Sequence, residues 1–309
     1  MIKKPWFADF NLLLVAFVWG TTFVIVQKAI AFLEPYSFNT VRFSFAAFLL
    51  ILIIFLFNRS SLIHFKNNKL WISGFILGFW LFLGYGLQTV GLLYTTSSKT
   101  GFITGLSVVL VPLFSYFLLK YKLNWQVGLS SLLALAGLYL LTIHNSLTLN
   151  VGDAYVLLCA ISFALHIVFT GKFAQSYHAL CLTVIQLITV SILSFITALF
   201  TESWQQMFVA ELVFQPEVIS ALIITSLFAT ALAFLAQTYF QSFTTPARVA
   251  LIFAMEPVFA ATTAFVMIGE TLGPKATTGC LFILLGMILS EIKFNELGIK
   301  RKQKEWDAS

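Results

Sequence analysis

Charged residues are scarce in this sequence. Aspartate, glutamate, lysine and arginine together make up 10% of the 309 residues, whereas hydrophobic residues make up 60%. A soluble protein carries roughly a quarter charged residues, so too few are present here to cover a water-exposed surface. The mean hydropathy is +0.95. We therefore predict an integral membrane protein with no room for a separate soluble domain.

Cysteines and catalytic motifs are also few. Cys159, Cys181 and Cys280 all lie in apolar runs, which argues against disulfides and metal sites. The sequence has no His-Glu-x-x-His motif and no glycine-rich phosphate loop, so it contains no machinery for ATP hydrolysis. Intramembrane catalysis needs paired acids, a Ser–His pair or a metal cluster. We expect a non-enzyme that requires no cofactor and binds no nucleic acid.

The sequence does contain a repeat. Asp9 falls on Asp153 and Lys28 on Lys172 at a constant shift of 144 residues. Further along the chain the shift becomes 149, which places Gln88 on Gln237. Each copy contains five apolar runs, and an odd number of spans inserts the second copy in the opposite sense. Inverted repeats are typical of transporters whose site lies at the repeat interface.

The apolar runs predict ten helices that cross the bilayer, since one span needs about 20 residues. The fold class is all-α integral membrane, with ten transmembrane helices in two inverted five-helix repeats. The repeats cover residues 10–143 and 153–292, and a basic tail follows at 293–309. The predicted spans are Phe10–Ala31, Ser37–Phe57, Leu70–Leu93, Thr100–Leu119, Trp125–Ile143, Asp153–Phe173, Ala179–Phe200, Pro216–Gln241, Pro246–Ile268 and Leu272–Ile292.

Basic residues predict the orientation of the chain. Ten spans place both termini on one side, where the loops and termini carry 14 Lys and Arg residues against 3 on the other side. Short cytoplasmic loops are enriched in Lys and Arg. We therefore predict cytoplasmic termini and a location in the cell (inner) membrane.

Four short runs stand out along the spans: Trp19–Phe23 and Val41–Phe43 in the first half, and Glu256–Ala260 and Gly269-Glu270 in the second. The first two resemble the opening, and the last two the second half, of the EamA family of the drug/metabolite transporter superfamily. Taken together, the resemblance covers about residues 10–292. The sequence departs from the family pattern at Lys120-Tyr121-Lys122, which stands where the second copy has Gly269-Glu270.

The resemblance implies a pathway between the two halves, lined mainly by spans 1, 3, 4, 6, 8 and 9. Family members move small metabolites, amino acids and related compounds, often outward. On this basis we expect pathway residues on those spans. They are Trp19, Thr22, Trp80, Tyr85, Gln88, Phe163, His166, Gln237, Tyr239 and Glu256.

Glu256 is the acid placed deepest in a span. Pro257 follows it and removes a backbone donor, which frees the carbonyl of Phe253 and predicts a kink. Three interpretations stay open for Glu256: a structural and gating carboxylate beside the kink, a group that binds a cationic part of the substrate, or a proton carrier.

Arg42 lies a few residues inside the second span, and its repeat counterpart, Gln186, is neutral. Arg42 is expected to reach outward to the surface or to pair with a carboxylate; binding of an anionic substrate is the alternative. We group Arg42, Gln186 and Pro257 as gating or structural groups.

The remaining polar candidates also have two interpretations each. Gln88 and Gln237 are either hydrogen-bonding groups along the pathway or interhelical contacts. His166, which matches Thr22, either lines the pathway, with proton relay as one variant, or packs as a hydrogen-bonding partner. Lys99 and Arg248 correspond across the repeat and are expected to anchor helix ends on opposite faces.

Together these features predict a secondary transporter that moves a small organic metabolite, such as an amino acid, a related compound or a drug-like molecule. Export by alternating access through a central cavity is favoured. Its partners are the substrate and the lipid bilayer, and coupling to protons is open. The alternative is a membrane scaffold or lipid-handling protein that transports nothing.

Overall fold

A computed structural model describes residues 5–121, 124–142, 150–268 and 273–291 of the chain. Within these ranges the regular structure is helical. Besides α-helices, these ranges contain two short 3₁₀ helices, Arg59–Lys66 and Trp204–Phe208, and a π-helix, Thr225–Leu232. The α-helices are α1 Pro5–Ala29, α2 Pro35–Phe57, α3 Asn68–Gly91, α4 Ser97–Gly105, α5 Ser107–Leu119, α6 Trp125–Thr142, α7 Val151–Phe173, α8 Ala179–Thr201, α9 Ala210–Val213, α10 Pro216–Ile224, α11 Ala233–Gln241, α12 Pro246–Phe253, α13 Glu256–Ile268 and α14 Pro274–Glu291.

Seven helical stretches among the described residues are long and apolar enough to cross a membrane, which makes this an integral membrane protein. They are Trp6–Ala29, Pro35–Phe57, Asn68–Gly91, Lys99–Leu119, Val151–Phe173, Ala179–Thr201 and Pro216–Gln241. Shorter apolar helices, Trp125–Leu141 and Pro274–Ser290, occupy the fifth and tenth predicted spans. The ninth predicted span is divided between α12 and α13. The count of ten spans stays a prediction.

Some predicted features fall outside the described residues. These are the span ends at Ile143, Leu272 and Ile292, the Gly269-Glu270 motif and the tail at 293–309.

Each half of the chain packs against the other. Helix α3 lies along α7 and α8, α2 lies along α8, and α1 contacts α11, α12 and α13. Apolar side chains from both halves fill these contacts; for example, Phe43 and Leu81 cluster with Leu187 and Phe234. Since the strongest packing crosses between the halves, polar groups on the inner helix faces meet at the interface between them.

Two helical spans are broken at equivalent positions. Helix α12 ends at Phe253 and α13 begins at Glu256, so the kink predicted at Pro257 is a break that lies just before it. Helix α4 ends at Gly105 and α5 begins at Ser107, the repeat counterpart of Glu256. No proline stands at this first break, which the sequence had presented as a continuous span.

Lys120 ends α5 in a left-handed backbone conformation, with φ of 56°. The second copy has Gly269 in this position, and glycine adopts the conformation without a Cβ penalty. Lysine here therefore carries a conformational cost of about 1–2 kcal/mol.

The last helices of the two halves, α6 and α14, cross through small residues. A Cβ added at Gly137 would lie 2.6 Å from the carbonyl oxygen of Gly279, and one added at Gly286 would lie 2.7 Å from that of Ser130. Ser130 corresponds to Gly279 and Gly137 to Gly286 in the repeat register. The crossing is therefore symmetric, and small residues allow the two backbones to approach closely.

We predict that Gly137→Leu lowers the free energy of unfolding by about 1–3 kcal/mol, because the side chain has no space against α14. Denaturation in mixed detergent micelles measures it. Gly128→Leu, on the same helix but with open space around it, is the control. Its expected change is within about 0.5 kcal/mol. Equal losses for the two variants would contradict this account of the crossing.

Candidate functional site

A cavity of about 100 Å³ lies at the interface between the two halves. Its walls come from α1, α2 and α3 of the first half, from α7 and α11 of the second, and from both helix breaks. The sequence-predicted residues that line it are Trp19, Thr22, Arg42, Tyr85, Gln88, Phe163, His166, Gln237, Glu256 and Pro257.

Three candidates lie elsewhere. The ring of Trp80 packs edge-on against Phe79, and Tyr239 packs against Phe240 and Phe243. Gln186 is fully buried behind the cavity wall. The roles given to all the candidates stay predictions, but ten of the thirteen share one space.

Both helix breaks border this cavity. Glu256 is the first residue of α13 and Ser107 the first residue of α5, and both line the cavity. The N-terminal end of a helix carries a partial positive charge from its unpaired amide groups. Gly20 lets α1 approach the second break, because a Cβ there would overlap the carbonyl oxygen of Glu256. The N-terminal ends of two helices and one carboxyl group therefore border the cavity.

Arg42 is buried beside the cavity, with 3% of its surface exposed. Its Nε donates to Thr230 Oγ1 at 2.7 Å, and its guanidinium carbon lies 4.8 Å from the centre of the Tyr85 ring. The expectation that Arg42 would reach the surface or pair with a carboxylate is wrong for the described residues, where it forms no ion pair. Packing between α2 and the π-helix holds it inside instead.

The π-helix Thr225–Leu232 supplies acceptors that sequence reasoning missed. The carbonyl oxygen of Ala229 accepts a hydrogen bond from Trp19 Nε1 at 2.8 Å. Thr230 is the partner of Arg42. A π-helix frees carbonyl groups from the regular ladder and is frequent at functional sites. Nothing in the apolar run around these residues distinguishes it from an ordinary helix.

A chain of buried hydrogen bonds stands behind His166. His166 Nε2 lies 2.9 Å from Gln186 Oε1, and Gln186 Nε2 donates to Thr238 Oγ1 at 3.1 Å. Since Gln186 uses its amide nitrogen for Thr238, its oxygen faces the histidine and Nε2 is the donor. His166 thus both lines the cavity and takes part in interhelical packing.

The two repeat-related glutamines line the same cavity. Gln88 Nε2 donates to Thr104 Oγ1 at 3.3 Å, and Gln237 Nε2 donates to Gln241 Oε1 at 3.4 Å. Each glutamine therefore borders the cavity and bonds within its own half.

Two ion pairs join the halves, and sequence reasoning missed both. Lys99 Nζ lies 3.3 Å from Asp153 Oδ2, and Arg248 Nη2 lies 2.6 Å from Asp9 Oδ2. Lys99 and Arg248 were expected only to anchor helix ends. The signal was present in the sequence, because the same repeat registers relate Asp9 to Asp153 and Lys99 to Arg248.

These features define a helical membrane protein with a largely apolar cavity between two related halves, into which several polar side chains reach. Residues 6–143 and 150–291 match the EamA-like transporter family. The chain belongs to this family and is a membrane transporter.

Relatives agree with this assignment. The chain is 34% identical over 290 residues to an uncharacterized transporter of Archaeoglobus fulgidus, covering 94% of this chain and 87% of that protein. It is 24% identical to the uncharacterized transporter YvbV of Bacillus subtilis, covering 91% of each. A solved crystal structure shares the fold with a TM-score of 0.74 at 18% identity, covering 92% of this chain and 95% of that one.

We predict that Thr230→Val destabilises the protein by about 1–3 kcal/mol, because the buried guanidinium of Arg42 loses an acceptor. Thr225→Val is the matched control, since Thr225 is equally buried but bonds only to the carbonyl of Ala221 in its own helical stretch. Its expected loss is about 0.6 kcal/mol. Denaturation in mixed micelles compares the two, and a Thr230→Val loss no larger than the control's would contradict the role assigned to Thr230.

Proposed function

We propose that this protein is a secondary transporter that exports a small organic metabolite, an amino acid or a related compound, by alternating access. In this proposal ten spans form two inverted halves in the cell (inner) membrane, with both termini cytoplasmic. The observation that carries the proposal is the cavity between the halves, with the ionisable side chains of Arg42 and Glu256 on its wall. A scaffold without a substrate has no need of charged groups at this depth, where they are costly.

A basic and an acidic side chain on the cavity wall support a substrate that carries both an acidic and a basic group. Arg42 and Glu256 line one cavity without forming an ion pair with each other. A carboxylate on the substrate gains charge-assisted hydrogen bonds from Arg42, and an ammonium gains them from Glu256. Pockets for drug-sized ligands span roughly 300–1,000 Å³, so a cavity of about 100 Å³ favours a small metabolite in this state.

Aromatic rings shape the remaining wall. Tyr85 and Phe163 lie edge-on with their centres 5.3 Å apart, and Trp19 meets Phe253 at 4.9 Å. These rings give an apolar surface beside the charged groups, which suits the carbon skeleton of a metabolite. The ring of Tyr85 also faces the guanidinium of Arg42.

Transport in proteoliposomes tests the proposal. We expect the wild-type protein to move at least one labelled amino acid or related metabolite. Arg42→Gln, which introduces the residue of the second copy, and Glu256→Gln are each expected to lower the apparent affinity at least about tenfold, because each removes a charge-assisted contact. Arg59→Gln and Glu217→Gln, on exposed positions, are the matched controls with wild-type transport expected.

Transport should be measured with and without a pH gradient. Full transport by Glu256→Gln with unchanged pH dependence would contradict both substrate binding and proton exchange by this carboxylate. It would leave Glu256 a structural group at the helix break. No uptake or efflux of any compound under either condition would contradict transport of metabolites altogether.

A further inference from the structure

The two inter-half ion pairs are copies of one arrangement. In each pair an aspartate on the first helix of one half meets a base in the first turn of α4 or α12, the repeat-related helices of the other half. Asp9 on α1 binds Arg248 on α12, and Asp153 on α7 binds Lys99 on α4. The repeat registers relate Asp9 to Asp153 and Lys99 to Arg248, so each pair is the repeat counterpart of the other.

The pairs lie at opposite ends of the helix assembly. Asp153 is near the start of α7, whereas Gly171 near its end packs against Pro246, two residues before Arg248. Eighteen residues of α-helix separate Asp153 from Gly171, which corresponds to about 27 Å. We call these the Asp153 end and the Asp9 end.

The cavity lies between the two ends. Trp19 follows Asp9 by ten residues on α1, and Phe163 follows Asp153 by ten residues on α7, so each cavity-lining ring is about 15 Å from the ion pair on its own helix. Each ion pair therefore joins two helices that contribute to the cavity wall, α1 with α12 at the Asp9 end and α7 with α4 at the Asp153 end.

The exposure of the ion pairs allows each to open. Lys99 and Arg248 are each 24% exposed, so water can replace the aspartate at the base of each pair, whereas Asp153 and Asp9 are only 4% and 14% exposed and bear most of the cost of separation. Asp153 keeps hydrogen bonds from Thr95 Oγ1 at 2.7 Å and from the Asn150 amide at 3.0 Å after Lys99 leaves. A fully buried pair would be far more costly to separate.

We propose that the two ion pairs are reciprocal latches of the transport cycle. The Asp9–Arg248 pair breaks when the cavity opens toward the Asp9 end, and the Lys99–Asp153 pair breaks when it opens toward the Asp153 end. In the state described here both are closed. This inference rests on the proposed alternating access.

Reactivity of a single cysteine tests the latches. Ser107→Cys places a thiol in the cavity of a full-length protein whose Cys159, Cys181 and Cys280 are replaced by alanine. A membrane-impermeant thiol reagent is added from one side or the other of oriented vesicles. Arg248→Gln and Lys99→Gln, which are repeat-equivalent changes, open one latch each. Lys28→Gln and Lys172→Gln, repeat-equivalent and exposed, are the controls.

We expect the two latch variants to shift the modification rate of the introduced cysteine in opposite directions. Arg248→Gln raises the modification rate from the Asp9 end about fivefold and lowers it from the Asp153 end, because loss of a part-exposed ion pair favours the state open toward the Asp9 end over the other states by that order. Lys99→Gln does the reverse. The double exchange Asp9→Arg with Arg248→Asp restores the wild-type rates.

Three outcomes would overturn the latches: shifts in the same direction for both variants, rates equal to those of the lysine controls, or failure of the double exchange to restore the rates. A general loss of folding changes both ends alike and counts among these. The proposed function can fail separately, because the wild-type protein would then transport none of the compounds tested. Opposite accessibility shifts in the two variants would still support the latches in that case.

Discussion

The need to satisfy every polar group inside an apolar slab governs this structure. Within a bilayer, backbone groups outside a regular helix are tolerated only where they face protein or a polar cavity. The two helix breaks, before Ser107 and before Glu256, both border the central cavity. The π-helix also turns the carbonyl of Ala229 toward Trp19 beside it. Irregular backbone and polar side chains thus collect at the cavity between the halves, which is the substrate site in our proposal.

Repeat symmetry explains how the halves fit together. The α6–α14 crossing, the two helix breaks and the two ion pairs each occur as repeat-related contacts. In the proposed transport cycle, these contacts at both ends would correspond to two equivalent openings around one cavity, the behaviour expected of inverted repeats. Symmetry fails where Arg42 stands against Gln186 and Glu256 against Ser107. The framework is therefore shared by the two halves, whereas the charges of the cavity are not.

Much of this was predictable from the sequence, because apolar length fixes where helices cross a bilayer. The seven apolar stretches follow the predicted spans within a few residues. Pro257 indicated the second helix break, but the first has no proline, and only the repeat register points to it. Side-chain direction was harder to predict, since each residue turns about 100° around a helix. Trp80 and Tyr239 are on the predicted helices but away from the cavity, and the partner of Arg42, Thr230, is 188 residues away.

Distances at the two ends test most directly whether the halves move reciprocally around the cavity. Spin labels at Phe7 and Phe243 report on the Asp9 end, and labels at the repeat-equivalent, exposed positions Val151 and Tyr94 report on the Asp153 end. Double electron–electron resonance should show one distance lengthening as the other shortens when a transported compound is added. Two distances that stay fixed, or that lengthen together, would contradict alternating access in this protein.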